Sequence, residues 1–465
     1  MILRYRKYLF AALIFTTMLS SCSDKLELDP YDNVDEEKAF KTEKDIKAAL
    51  IGAYADLGSS NFYGGRTTLC TDLLGNDAHL RFSGTYSGYI ELYNKAMTVT
   101  NDYATDIWLR AYRTINTTNN ILAKLAIIAD EDSRAEIEAG AKFIRGTVYF
   151  EMARMYGKAW NDGNPATNLG VPIVLEPTTI VSEKNYVKRS TVAQVYEQAI
   201  KDLIDAKEGL PSSKSSLATT YSAAAVLARI YLTQERWEEA AEEADYVIAS
   251  DRFSLVKDYI DEFPVPDPAG PVANTSEDVF AAQITLQQGF NALNEVYGTS
   301  DFAGRGDITI NEGFLSKYEE IDDRLKVFTI SYDDDGFFDE AFCDKYNNQY
   351  GNVKTIRLAE MYLIRAEANF RNGTAIGATP LDDVNIIRER AKATPLMLVD
   401  LGVILNERVL ELAFEGQSLF DLKRTKGSIG GGIQWNSPKL VFPIPQREMD
   451  ANPALKGQQN EGYGN

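Results

Sequence analysis

The feature that most constrains this fold lies near the middle of the chain. Tyr221 to Ser250, YSAAAVLARIYLTQERWEEAAEEADYVIAS, is two runs of helical periodicity separated by a short polar break. Leu227, Ala228 and Tyr231 share a face of the first run. Gln234 to Arg236 interrupts it, and Trp237, Ala240, Ala241, Ala244, Val247 and Ile248 carry the apolar stripe onward. Small residues on both stripes let two helices approach closely, so the stretch predicts a helical hairpin. A lone hairpin cannot bury its stripe, and further copies must stack on it.

The order Leu-Ala-x-x-Tyr, a turn, then Ala240 resembles the tetratricopeptide repeat. Further copies are visible. Asp106 to Gly157 reads as a hairpin with Gly140 and Gly146 at close contacts and Trp108 in the core. Thr191 to Leu210 is a helix with Ser190 as its cap and Pro211 as its stop, and Lys354 to Asn372 is answered by Leu381 to Ala391. Glu43 to Leu57 suits a first helix. The fold class expected is mainly α, a tetratricopeptide-like helical-repeat body over residues 43–465 with repeats at about 106–157, 191–250 and 354–425. Two long irregular insertions, about 58–105 and 251–350, interrupt it, and an extended segment of about 426–465 closes it. The first insertion is rich in Gly, Ser, Asn and Tyr, and Pro264, Pro266, Pro268 and Pro271 break the second. Long ordered insertions on one side of a repeat array are the usual place for its binding surface. Asp333 to Gly336 hints at calcium, but the EF-hand spacing puts Phe342 at the bidentate acid position, so an exposed turn is expected.

The 465 residues carry a formal charge of −20 and show no basic cluster, which argues against a nucleic-acid partner. Residues 1–21 combine Arg4, Arg6 and Lys7 with an apolar run of roughly a dozen residues, too short to span a membrane, where ~20 are needed. Leu19-Ser20-Ser21-Cys22 looks like a bacterial lipobox. Residues 1–21 are therefore expected to be a lipoprotein signal peptide, Cys22 the lipidated residue and 22–42 an acidic tether. Loss of the three basic residues would leave a charge near −23. Cys70 and Cys343 are expected as buried free thiols, the alternative being a disulfide. His79 is the sole histidine and cannot supply a multi-histidine metal site, so no metal or cofactor is expected.

Four segments stand in order near the C-terminus: AEMYLIRAEA (Ala359 to Ala368), NERVLELAFEGQSLFDLKR (Asn406 to Arg424), FPIPQREMDANP (Phe442 to Pro453) and QQNEGY (Gln458 to Tyr463). Together with the lipobox and the interrupted repeats they resemble the SusD/RagB family across nearly the whole chain. Gln417-Ser418-Leu419-Phe420 departs from the aromatic pairing usual before the family's Asp-Leu-Arg/Lys-Arg. The resemblance implies a lipid-anchored outer-membrane protein facing the cell exterior. It would capture glycans, or peptides as in the RagB branch, and deliver them to a SusC-like TonB-dependent transporter. Physically, Glu407, Glu411 and Glu415 fall at i, i+4, i+8, and like charges on one stripe need neutralising neighbours. Arg365, Arg388 and Arg390 are the expected partners, in an ion-pair network and not a catalytic carboxylate pair. Phe442-Pro443-Ile444-Pro445 must be extended and is expected to seal the end of the stack.

For the ligand, the resemblance implies a shallow aromatic platform built by loops. The candidates are Tyr86, Tyr89, Tyr297, Phe302 and Trp160, with Asn76, Asp77, Arg81 and Arg305 as polar partners. Sugar rings offer apolar C–H faces to aromatic rings and hydroxyls to the polar groups. A surface glycoside hydrolase is the contrasting class, but no motif picks two carboxylates out of 68 acidic residues, and no enzymatic activity is expected.

Overall fold

Thr42 starts helix α1 (Glu43–Leu57) with a reciprocal cap: its hydroxyl accepts from the Asp45 amide, and the Asp45 carboxylate takes the Thr42 amide. The structure is a computed structural model that describes residues 40–464 except 77, 180–181, 214–215 and 285–288. The signal peptide, Cys22, nearly all of the tether and Asp77 lie outside the described residues. The segment 58–105 is not the irregular loop expected from its composition. It holds α2 (Arg66–Gly75), strand β1 (Leu80–Phe82) and α3 (Ser87–Tyr93). Helix α2 escaped notice because it is buried nearly all round, Thr67, Thr71 and Asp72 included, and so has no polar face to reveal a period.

Helices α4 (Asp102–Ala123) and α5 (Glu131–Tyr156) form the next hairpin, and α4 begins at Asp102 rather than Asp106 because Asn101 caps it. Then come α6 (Val192–Gly209), capped by Thr191 rather than Ser190, α7 (Thr220–Thr233) and α8 (Trp237–Ile248). The turn between α7 and α8 falls at Gln234 to Arg236, with Glu235 in the left-handed region at φ 61°. Each helix packs on the next, α4 to α5, α5 to α6, α6 to α7 and α7 to α8. The α5–α6 contact is tight at Gly146, where a Cβ would lie 2.9 Å from the Ala199 carbonyl oxygen.

The second insertion contains β2 (Asp278–Ala282), α9 (Ala292–Tyr297), β3 (Ile308–Ile310), α10 (Glu312–Leu315), β4 (Phe328–Tyr332), β5 (Phe338–Cys343) and β6 (Val353–Arg357). Asp333 to Gly336 is the turn of the β4–β5 hairpin, where Asp333 Oδ1 accepts from the amides of Asp335 and Phe337. The stack then resumes: α11 (Leu358–Asn372) packs on α8, and α12 (Pro380–Arg390) and α13 (Leu401–Glu411) pack on α11. Helix α14 (Ser418–Arg424), the hairpin β7 (Ser428–Ile429) and β8 (Ile433–Gln434), and α15 (Gln446–Ala451) follow. The fold is mainly helical, and its strands form two-stranded antiparallel sheets. None of the described helices is long and apolar enough to cross a membrane.

The carboxylates of Glu407, Glu411 and Glu415 are buried in an ion-pair network. Arg388 bonds Glu407 at 2.9 Å, Arg390 bonds Glu411, and Arg324 bonds Glu407 at 2.7 Å. Two expectations need correcting. Arg365 pairs with Asp383 and Asp245 instead, because it lies on α11 facing α8 and α12. Helix α13 ends at Glu411, so Glu415 leaves the stripe and meets Arg357 at 2.9 Å and Lys345 at 2.7 Å. Burial alone would push the Glu411 carboxyl up. Arg390, Arg357, Arg324 and Lys345 outweigh it and hold the group down at about 2. Cys70 and Cys343 are free and buried, and burial pushes each thiol up to about 12.

Phe442 to Pro445 runs without regular structure past the end of α5. The Phe442 amide donates to the Met155 carbonyl, and Asn460 Nδ2 donates to those of Tyr156 and Phe442. Asn460 of the terminal Gln-Gln-Asn thus supplies a donor to the Tyr156 carbonyl at the end of α5, where no intrahelical partner is left.

Candidate functional site

Strand β1 from the first insertion pairs with β3 from the second, Leu80 opposite Ile310 and Phe82 opposite Ile308. This short ladder brings two segments distant in sequence onto one surface. Leu80 and Phe82 turn inward, so Arg81 projects to solvent by the two-residue period of a strand. Beyond the ladder, the Tyr86 hydroxyl donates to Glu295 Oε1 at 2.7 Å, and the Arg305 guanidinium lies over the Tyr86 ring, 4.6 Å from its centroid. Arg305 is itself held by Asp307 at 2.7 Å and by the Thr85 hydroxyl at 3.1 Å. Gly84 makes that approach feasible, since a Cβ there would lie 2.7 Å from the Asp307 carboxylate. Phe302, on the turn just before Arg305, is 39% exposed.

Helix α9 organises this face. Ala292, Leu293, Asn294, Val296 and Tyr297 are buried, and Glu295 alone of its residues faces solvent. At the other end of α9, exposed Phe290 packs against half-buried Tyr350 with ring centroids 5.5 Å apart. The Asn291 amide donates to the Gln349 carbonyl and fixes that pair's backbone. Two aromatic contacts therefore flank one short helix.

The structure brings Tyr86, Phe302, Arg81 and Arg305 to this surface and removes the other described candidates from it. Tyr89 is buried and stacks on Tyr103 at 3.8 Å. Tyr297 is fully buried, with its hydroxyl donating to Asp72 at 3.0 Å. Asn76 is buried too and donates to the same carboxylate. Asp72, which burial raises to about 7, thus ties the two insertions to the Gly416 amide of the helical body. Trp160 is elsewhere, half-buried against Tyr196 of α6. His79 packs on Phe314. Its Nδ1–H donates to Asn76 Oδ1 at 3.1 Å, and Nε2 accepts from Lys317 at 3.4 Å. Burial pushes this imidazole down to about 4, so it is neutral at pH 7. Sequence reasoning missed Glu295, Phe290 and Tyr350. The usable signal was period: Glu295 and Tyr297 are two apart on a helix and face opposite ways.

This surface is open and aromatic, with fixed hydrogen-bonding groups around the rings. Arg305, Tyr86 and Glu295 form a closed set of paired charges and donors, which suits binding of a hydroxyl-rich molecule more than acid–base chemistry.

Comparison with known proteins places this geometry. A SusD-like family described as "Starch-binding associating with outer membrane" matches residues 24–232, and the SusD family proper matches residues 336–431. The SusD-like protein P2 of Formosa agariphila is 28% identical over 98% of this chain and 100% of its own length. The starch-binding protein SusD of Bacteroides thetaiotaomicron is 32% identical over a stretch covering 24% of this chain and 22% of that protein. A solved SusD superfamily structure from Bacteroides thetaiotaomicron superposes with a TM-score of 0.78 at 25% identity, covering 90% of this chain and 99% of the other. With the helical stack, the two insertions and the C-terminal segments in one order, the chain belongs to the SusD/RagB family.

Proposed function

We propose that this protein binds oligosaccharides at the surface of the outer membrane, without cleaving them, and passes them to a SusC-like TonB-dependent transporter. The observation that carries the reading is the set of exposed and half-buried side chains flanking α9: Tyr86 with Arg305 and Glu295 on one side, Phe290 with Tyr350 on the other. Aromatic faces suit stacking on the apolar C–H faces of sugar rings, and the flanking groups bond hydroxyls. The family description and the starch-binding relative support the same class of ligand. The three carboxylates on and after α13 are buried and paired with arginine or lysine, which supports a binding role over hydrolysis. Lipidation at Cys22 supplies the anchor in this reading. The test is calorimetric titration of the purified protein with oligosaccharides and with mixed peptides, the sugars being analysed afterwards for cleavage. Binding of an intact glycan is expected. Binding of peptides alone would assign the protein to peptide capture, and shortened sugars would overturn the non-enzymatic reading.

A further inference from the structure

A long cleft runs beside β2, lined by none of the residues of the Tyr86 face. Its two halves share Ser216, Leu217, Phe280 and Ala281. One half, of about 640 Å³, is walled by Ile51, Tyr54 and Ala55 of α1 together with Leu217. Ile51 is an apolar side chain 53% exposed there. The other half, of about 880 Å³, is lined by hydroxyls and an amide, Ser212, Thr219, Asn274 and Ser276 among them, with the exposed guanidinium of Arg252 at its side. An apolar wall running into a hydroxyl-rich wall matches a sugar chain, whose rings carry C–H faces and polar edges.

The cleft is poorly made for a peptide. Among the described residues strand β2 pairs with β6 alone, so an extended peptide would be expected to add along its other edge. Carbonyls on β2 are already engaged by side chains: Val279 accepts from Ser222 Oγ at 2.9 Å and Ala281 from Gln283 Nε2 at 2.9 Å. The carboxylate that lines the cleft, Asp278, is bonded to Lys354 at 2.5 Å and to the Thr275 amide at 2.8 Å. Among the described residues the Asp278 charge is thus offset by Lys354 through Oδ2, its buried Oδ1 being left without a partner, although the chain as a whole carries −20. The cleft also adjoins the loop surface. Gly58 lines its apolar end, and a Cβ on Gly64 would lie 2.5 Å from the Gly58 carbonyl oxygen. Gly64 in turn accepts from the Ala292 amide at the start of α9, at 3.0 Å.

We propose that this cleft is a second carbohydrate-contact site, which takes a neutral or acidic stretch of polysaccharide by packing sugar rings on Ile51, Tyr54 and Leu217 and bonding their hydroxyls to Ser212, Ser216 and Asn274. The inference rests on the carbohydrate-binding reading above. Two contact sites on one protein raise its avidity for a long chain without changing its affinity for a short one.

The experiment is native electrophoresis of the protein through gels containing amylopectin, laminarin, xylan or alginate, with Ser216→Trp and Ala55→Arg as cleft-filling variants. For a polysaccharide that retards the wild type, each variant is expected to lose at least about threefold in apparent affinity while keeping the Kd of a short oligosaccharide of the same sugar. Retardation equal to wild type by both variants, with unchanged melting temperature, would overturn the proposal. Hydrogen exchange on the wild type avoids any folding defect: the same polysaccharide fragment should slow exchange at 216–222 and 278–283, and unchanged exchange there overturns the cleft alone. A wild type retarded by none of the four gels and titrating with no sugar overturns the carbohydrate reading itself, and the cleft with it.

Discussion

Tyr86 and Tyr89 are three residues apart and have opposite fates, one at the surface beside Glu295 and the other buried against Tyr103. Nothing in the local sequence separates them, because the partner that holds Tyr86 outward comes from 209 residues away. The same holds for Tyr297, whose ring is internal because Asp72 waits for its hydroxyl. Tyr86→Ala or Arg305→Ala should weaken glycan binding about tenfold, equivalent to ~1.4 kcal/mol, in titrations where the melting temperature stays near wild type. Tyr297→Phe should do the reverse. It removes one donor from a buried carboxylate and should cost about 1–3 kcal/mol in urea unfolding while leaving ligand affinity unchanged. Equal affinity for Tyr86→Ala would take that ring out of the site.

At the scale of the element, the hairpin α7–α8 was legible from Tyr221 to Ser250, because its small and large apolar residues repeat at helical spacing and its polar break is short. Helix α2 was not legible, because a helix buried on nearly every side shows no alternation of polar and apolar faces. The α13 stripe was half legible. Charge repulsion demands cations near Glu407 and Glu411, but which arginine answers depends on how α11 and α12 lie across it. Glu411→Gln leaves Arg390 and Arg357 short of a buried counter-charge and should destabilise the fold by about 3–5 kcal/mol, read as a fall in urea midpoint. Gly146→Leu should force α5 from α6 against the Ala199 carbonyl and cost about 1–3 kcal/mol. A melting temperature unmoved by Gly146→Leu would contradict the close contact described here.

Across the whole molecule, the helical stack holds two separate insertions so that β1 and β3 meet, and the candidate face exists only where they do. The stack also sets the response to acid. Glu411 and Glu360 are held down at about 2 by surrounding arginines, against an ordinary value of 4.5. A carboxylate lowered on folding contributes stability that is present above its unfolded value and lost as pH falls through its folded one. Unfolding free energy should therefore fall steeply between pH 4.5 and about 2, and urea titrations at half-unit intervals read that slope. Asp72 and Asp383, raised to about 7 and about 6 from an ordinary 3.8, act with the opposite sign: their share of stability grows as pH falls through the folded value and levels off below 3.8, so the acid fall is steepest below that point. A flat profile from pH 4.5 to 2 would mean that the buried network adds nothing to stability.

The central claim is capture of an intact glycan at the face around α9. Its most direct measurement is a calorimetric titration of wild type and Tyr86→Ala in parallel against an oligosaccharide panel, followed by chromatography of the sugars recovered from the cell. Saturable binding by the wild type, about tenfold weaker binding by the variant, and sugars of unchanged length are expected. Binding that is identical in both proteins, or sugars that return shortened, would contradict it.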